Sequence, residues 1–180
     1  YYYKYWKVSN HMSTLSVDTI QGQTAAANVK LPAGCVVQTV HFHRRGQQDG
    51  TAVGNLAVIT TNSFTDIMSK AITTKFANSL IHVKMTIVLY ENTGAALRSK
   101  IKILRNTTEI DGDIYAGYHP AGSLMQTKSY EFIDTPSAAA GTALTYKLQG
   151  AELSSSSACW GYGDSGGGSS ASIVLMEIAQ

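Results

Sequence analysis

From Leu80 to Tyr90 the chain alternates with a period of two. Ile81, Val83, Met85, Ile87 and Leu89 are separated by His82, Lys84, Thr86, Val88 and Tyr90. Only an extended strand sends successive side chains to opposite faces, so this pattern predicts a strand with one buried face and excludes a helix. Residues 98–105 repeat it, with Ile101 and Ile103 set against Lys100 and Lys102. Residues 129–134 place Tyr130, Phe132 and Asp134 against Glu131 and Ile133, and residues 144–148 place Leu144, Tyr146 and Leu148 against Thr145 and Lys147. Residues 35–42, 56–61, 64–68 and 172–178 are also short runs rich in β-branched and apolar side chains. No segment carries a 3.6-residue stripe. About eight strands with turn signals between them predict an all-β fold, a single antiparallel β-sandwich of jelly-roll type.

The turn signals are Pro32-Ala33-Gly34, Glu91 to Gly94 and Asp111-Gly112, the last of hairpin type. Residues 154–172 are so rich in Ser and Gly that they read as one long loop or a flexible hairpin tip. Tyr115, Tyr118 and His119 read as a second loop, IYAGYHPAG. Three regions follow along the chain. Residues 1–11 put five aromatics into the first six positions and read as a foreign, tag-like leader. Residues 12–34 are polar and read as an extended N-terminal arm, and residues 35–180 form the sandwich head.

Composition narrows the function. Charged residues make up 14% of the 180, against roughly 25% in average soluble proteins. The net charge is +2, which gives no electrostatic drive towards nucleic acid or an anionic membrane. The apolar run at residues 81–90 is interrupted by His82 and Lys84 and is too short for a membrane-spanning helix. Ser and Thr together number 36. This balance suits a structural or adhesive β-protein better than a metabolic enzyme. Cys35 and Cys159 read as two half-buried thiols, since a disulfide-stapled fold carries more cysteines. Apolar outward positions such as Val88 and Ile133 are most easily buried in an oligomer.

Six motifs occur in order: MSTLSVDTIQG (residues 12–22), LPAGCVVQTV (31–40), SFTDI (63–67), KILRNTTEI (102–110), SYEFIDTPSAAAGTALTYKLQ (129–149) and SIVLMEIAQ (172–180). In this the chain resembles the tail-fibre-like, or fibre-head, virion proteins of marine and cyanobacterial bacteriophages, over nearly all of residues 12–180. The resemblance implies a β-sandwich related to C1q-like and tumour-necrosis-factor-like heads, assembled as a homotrimer. It also implies an arm that joins other virion proteins and a role in adhesion to a host cell-surface glycan or protein. Such heads are not enzymes, need no cofactor or metal, bind no nucleic acid and do not insert into membranes. They are assembled in the bacterial host cytoplasm and work on the virion, at a tail fibre or on the capsid surface. A capsid decoration or cement protein of the same fold is the alternative.

Several residues invite chemistry. Gly163-Asp164-Ser165-Gly166-Gly167 spells GDSGG, the surround of a serine-protease nucleophile, and His41 or His43 and Asp111 or Asp113 precede it in a protease-like order. Only 15 residues follow Ser165, and the tract is Ser/Gly-rich throughout, so a serine hydrolase is the remote reading. His41 and His43 share one strand face and read as the wetter side of that strand ahead of Arg44 and Arg45; the lesser reading is that three copies on an axis offer six imidazoles to a metal. Glu109, Asp111 and Asp113 lack EF-hand spacing and read as a solvated turn. Asn106-Thr107-Thr108 is a glycosylation sequon without meaning in a bacterial cytoplasm. Glu91, Glu109, Asp111, Asp113, Glu131 and Asp134 show no glycosidase-like pairing. The residues expected to contact a receptor or glycan are Tyr115, Tyr118, His119, Trp160 and Tyr162, rings set in loops among hydrogen-bonding groups.

Overall fold

The computed structural model describes residues 31–44, 47–48, 51–52, 56–93, 97–119, 122–153, 158–164, 167–168 and 170–180. Contacts divide the chain into Tyr1–Lys30 and Leu31–Gln180. The predicted leader, most of the arm and Ser165 lie outside the described residues.

The described residues contain strands and turns and no helix. In chain order the strands are β1 (Val36–Arg44), β2 (Gln47–Gln48), β3 (Thr51–Ala52), β4 (Ala57–Ile59), β5 (Thr65–Thr73), β6 (Leu80–Thr93), β7 (Leu97–Arg105) and β8 (Thr108–His119). There follow β9 (Gly122–Asp134), β10 (Ala143–Glu152), β11 (Ala158–Trp160), β12 (Gly163–Asp164), β13 (Gly167–Gly168) and β14 (Ala171–Ile178). The predicted all-β antiparallel sandwich is observed. One sheet is built on β6, with β9 along one edge. Along the other edge β14 pairs with the first half of β6 and β11 with the second, and β1 and β4 lie outside them. The second sheet runs β5-β10-β7-β8.

The alternation at residues 80–90 has the predicted consequence. Ile81, Val83, Met85, Ile87 and Leu89 are buried, with Ile173 and Leu175 beside them on β14. They share one core with Ile67, Ile72, Ile101, Ile103, Leu144, Tyr146 and Leu148 of the second sheet. Each such side chain contributes about 1.5–3 kcal/mol through burial.

Three local expectations are corrected. Asp111-Gly112 is not a hairpin turn; it lies inside β8, and the hairpin is made by Asn106-Thr107. Asn106 supplies the left-handed backbone (φ 55°) that Asn tolerates well, and its Oδ1 accepts the Thr145 amide at 2.8 Å. β8 has 12 residues against 9 in β7, and the surplus is absorbed by register shifts, one of them opposite Asp111-Gly112. Tyr115, Tyr118 and His119 are therefore on a strand, not in a loop. Nor is the Ser/Gly-rich stretch a single loop, since Ala158–Trp160 forms β11. β14 accompanies β6 only from Leu80 to Thr86, while β6 runs on to Thr93. The backbone groups of Leu89–Glu91 still need partners, and β11 supplies them.

Polar side chains close both ends of the core. At one end Glu177, fully buried on β14, accepts hydrogen bonds from the Lys75 and Phe76 amides, Ser79 Oγ and Gln38 Nε2. Nearby, Arg105 Nη1 grips both oxygens of Asp134 at 2.8 and 2.7 Å, and the Tyr146 hydroxyl donates to the same carboxylate at 2.6 Å. Burial is the main reason the Tyr146 phenol is pushed far above its ordinary range, with the Asp134 bond adding to it. At the other end Ser99 Oγ lies 2.6 Å from Glu91 Oε1 and 2.8 Å from Glu152 Oε2, and all three residues are buried. Ser99→Ala is expected to cost about 1–3 kcal/mol, because two buried carboxyl oxygens lose the same partner. Denaturant unfolding of the variant checks this.

Candidate functional site

The period-two pattern that buries one side of β6 turns the other side outward. Rows run across that outer face at right angles to the strands. One row joins Val58 on β4, Cys159 on β11, Tyr90 on β6 and Met125 on β9. Val58 is 55% exposed and Met125 54%, whereas Tyr90 and Cys159 are half-buried.

A fifth side chain is delivered to this row by a turn. Trp160 points into the core, and the chain then bends at Gly161, whose φ is +59°. Its amide donates to Val88 O at 2.8 Å, and a Cβ at Gly161 would meet Leu56 carbons at 2.7 to 3.0 Å. Only glycine satisfies both constraints. The bend sets the Tyr162 ring 4.3 Å from that of Tyr90, tilted by 41°. The result is a tyrosine pair flanked by Met125, Val58 and Cys159. Such a patch can stack on the C–H face of a sugar ring or pack against apolar side chains. Burial pushes the Cys159 thiol up, so it acts here as a small apolar group rather than a nucleophile.

The outer face of the second sheet has a different character. Lys102 pairs with Glu109 at 2.7 Å and lies 4.4 Å from the Phe64 ring centroid, and Lys147 reaches Asp66 at 3.3 Å. The Gln149 amide is the main reason the Asp66 carboxyl is held low, with Lys147 adding to it. Tyr115 stands on this face, 63% exposed, with Lys100 Nζ 5.2 Å from its ring. The expected contact residues therefore do not form one cluster. Tyr162 lies on the first sheet and Tyr115 on the second. Tyr118 and His119 are on β8, opposite Arg98 and Leu97 in register. Trp160 is removed from the set altogether: it is 0% exposed, because it sits on the inward side of β11. Tyr90 and Met125 were missed, although the alternation of β6 already turned Tyr90 outward.

His41 and His43 are exposed on one face of β1, opposite Val174 and Ser172 in register. Among the described residues no group of three or more His, Cys, Asp or Glu side chains is arranged to hold a metal. Of the acidic residues, Glu109 and Asp134 bind Lys102 and Arg105. Glu131 binds Lys84 at 3.2 Å and His82 at 2.9 Å, and the Lys84 bond is the first reason its carboxyl is held low. Glu91 meets Glu152 through Ser99.

No family model matches the chain, and no curated protein matches it in sequence. Among solved structures it is similar to a chain of the T13 IBDV viral particle, at 9% identity over 80% of this chain with a TM-score of 0.46. It is also similar to dimeric latent PorU from Porphyromonas gingivalis, at 7% identity over 83% with a TM-score of 0.43. The chain spans 36% of the first of these proteins and 14% of the second.

Proposed function

We propose that this chain is a structural, non-enzymatic virion protein of a bacteriophage, the head of a homotrimeric fibre that adheres to the host surface. The observation that carries the reading is the patch of Tyr90, Tyr162, Met125 and Val58 on the outer face of the first sheet, opposite a charged second face. A patch of two exposed apolar side chains and two half-buried tyrosines gathered on one face marks a binding surface. The order of the six sequence motifs supports the assignment to a phage particle. Adhesion then needs no reacting group. Three copies present the same weak contact, and simultaneous engagement raises avidity about a hundredfold or more when the spacing fits. The arm joins the head to other virion proteins.

The test is adsorption. Particles carrying Tyr162→Ala are expected to bind host cells at least tenfold more weakly, while the purified head keeps its stability within about 1 kcal/mol, as surface substitutions do. Tyr115→Ala, on the other sheet, serves as the comparison. Wild-type adsorption by the Tyr162 variant would sink the adhesive reading. Imaging that places the protein at capsid threefold positions rather than at a fibre would favour the cement reading instead.

A further inference from the structure

β9 is an edge strand of 13 residues, and among the described residues it pairs only with β6. It contains no proline, and its outward row is Met125, Thr127, Ser129, Glu131 and Ile133. Natural sheets seldom leave so long an edge unprotected, because its free N–H and C=O groups are a template for another chain. Met125 and Ile133 are exposed at 54% and 58%. They lie four residues on either side of Ser129.

That symmetry names the partner. We propose that β9 pairs antiparallel with β9 of a second copy of this chain, about a twofold axis at Ser129. Met125 then faces Ile133 of the other copy, twice, and Thr127 faces Glu131, twice. No charge meets a like charge directly. Lys128, on the inward row with its Nζ 2.5 Å from Gln126 Oε1, stays clear of the outer contact. The two first sheets become one continuous sheet. A foreign strand would need a matching apolar spacing, whereas a copy has it by construction of the twofold.

This contact does not depend on the virion reading, and it adds a twofold to any threefold. The expected assembly is a dimer, or a hexamer if trimers also form. The experiment is sedimentation of the full chain, together with a disulfide trap. Opposed residues in an antiparallel pair have Cα atoms about 4.5–5.5 Å apart, within reach of a disulfide. In a Cys35→Ser, Cys159→Ser background, Ser129→Cys should give a covalent dimer under mild oxidation. Thr127→Cys should not, since its own copy lies about 14 Å away. Met125→Lys with Ile133→Lys should weaken the twofold association about a hundredfold, by loss of the apolar contact and repulsion between copies. A trimer with no Ser129 cross-link would overturn this inference and leave the fibre-head reading standing. A monomer would overturn both, and an even-numbered assembly trapped at Ser129 supports the β9 contact.

Discussion

Trp160→Ala is expected to destabilise the protein by about 3–5 kcal/mol, the range for removing a fully buried large side chain. Trp160 is 0% exposed and shares the core with Ile59, Ile67 and Leu89. Its backbone holds β11 in place, through the pairing with Leu89 on one side and Ala57 on the other. Against a typical total of about 5–15 kcal/mol, this loss leaves a large unfolded fraction. Under the proposed adhesive function, host binding would fall with it, for a structural reason. Trp160→Phe separates the two causes. Among the described residues the indole Nε1 has no hydrogen-bond partner, so the smaller ring gives up packing only. The Phe variant should fold, with a small drop in melting temperature, and bind host cells as the wild type does. A folded Phe variant that fails to bind would show that the indole itself is recognised.

The second large effect is expected at Glu177. Glu177→Gln replaces a carboxylate oxygen with an amide nitrogen among donors that already point at it: the Lys75 and Phe76 amides, Ser79 and Gln38. Buried donors that lose a charged acceptor cost about 3 kcal/mol in total. The pH dependence gives a sharper signature. Burial works to raise the Glu177 carboxyl, but the bonds from Phe76, Gln38, Ser79 and Lys75 outweigh it and hold it below its ordinary 4.5. The unfolded chain therefore binds that proton more readily than the folded one. The stabilisation is fully present above about pH 4.5 and is lost as pH falls through the lower folded value. The difference between wild type and Glu177→Gln should be largest near pH 7 and shrink below pH 4.5, as measured by urea unfolding across that range. A gap that stays constant with pH would show that the carboxylate charge contributes nothing to the clamp.

Much of the fold could be read from alternation, and the errors trace to places where alternation stops short. Glu91, Ser99 and Glu177 each continue an apolar row by one step, and Glu152 continues one by two, past Gly150. Reading each row as ending at its last apolar residue hid the polar closures of the core. Asp111-Gly112 misled because the same residues that favour a hairpin also accommodate a bulge. Asn106 supplied the turn instead, five residues earlier. β11 was unreadable because three residues carry no period, and their local composition is that of a loop.

The inward and outward sides of β6, β7, β10 and the second half of β9 were determined by sequence alone, since a strand has only two faces and burying apolar atoms decides between them. Which strands become neighbours was left to the tertiary structure. β6 outruns β14, so backbone groups at Leu89–Glu91 needed partners that only β11 could bring. That one pairing buried Trp160, bent the chain at Gly161 and laid Tyr162 on Tyr90. The candidate surface therefore follows from hydrogen bonds across strands far apart in the chain, whose distance no local pattern encodes.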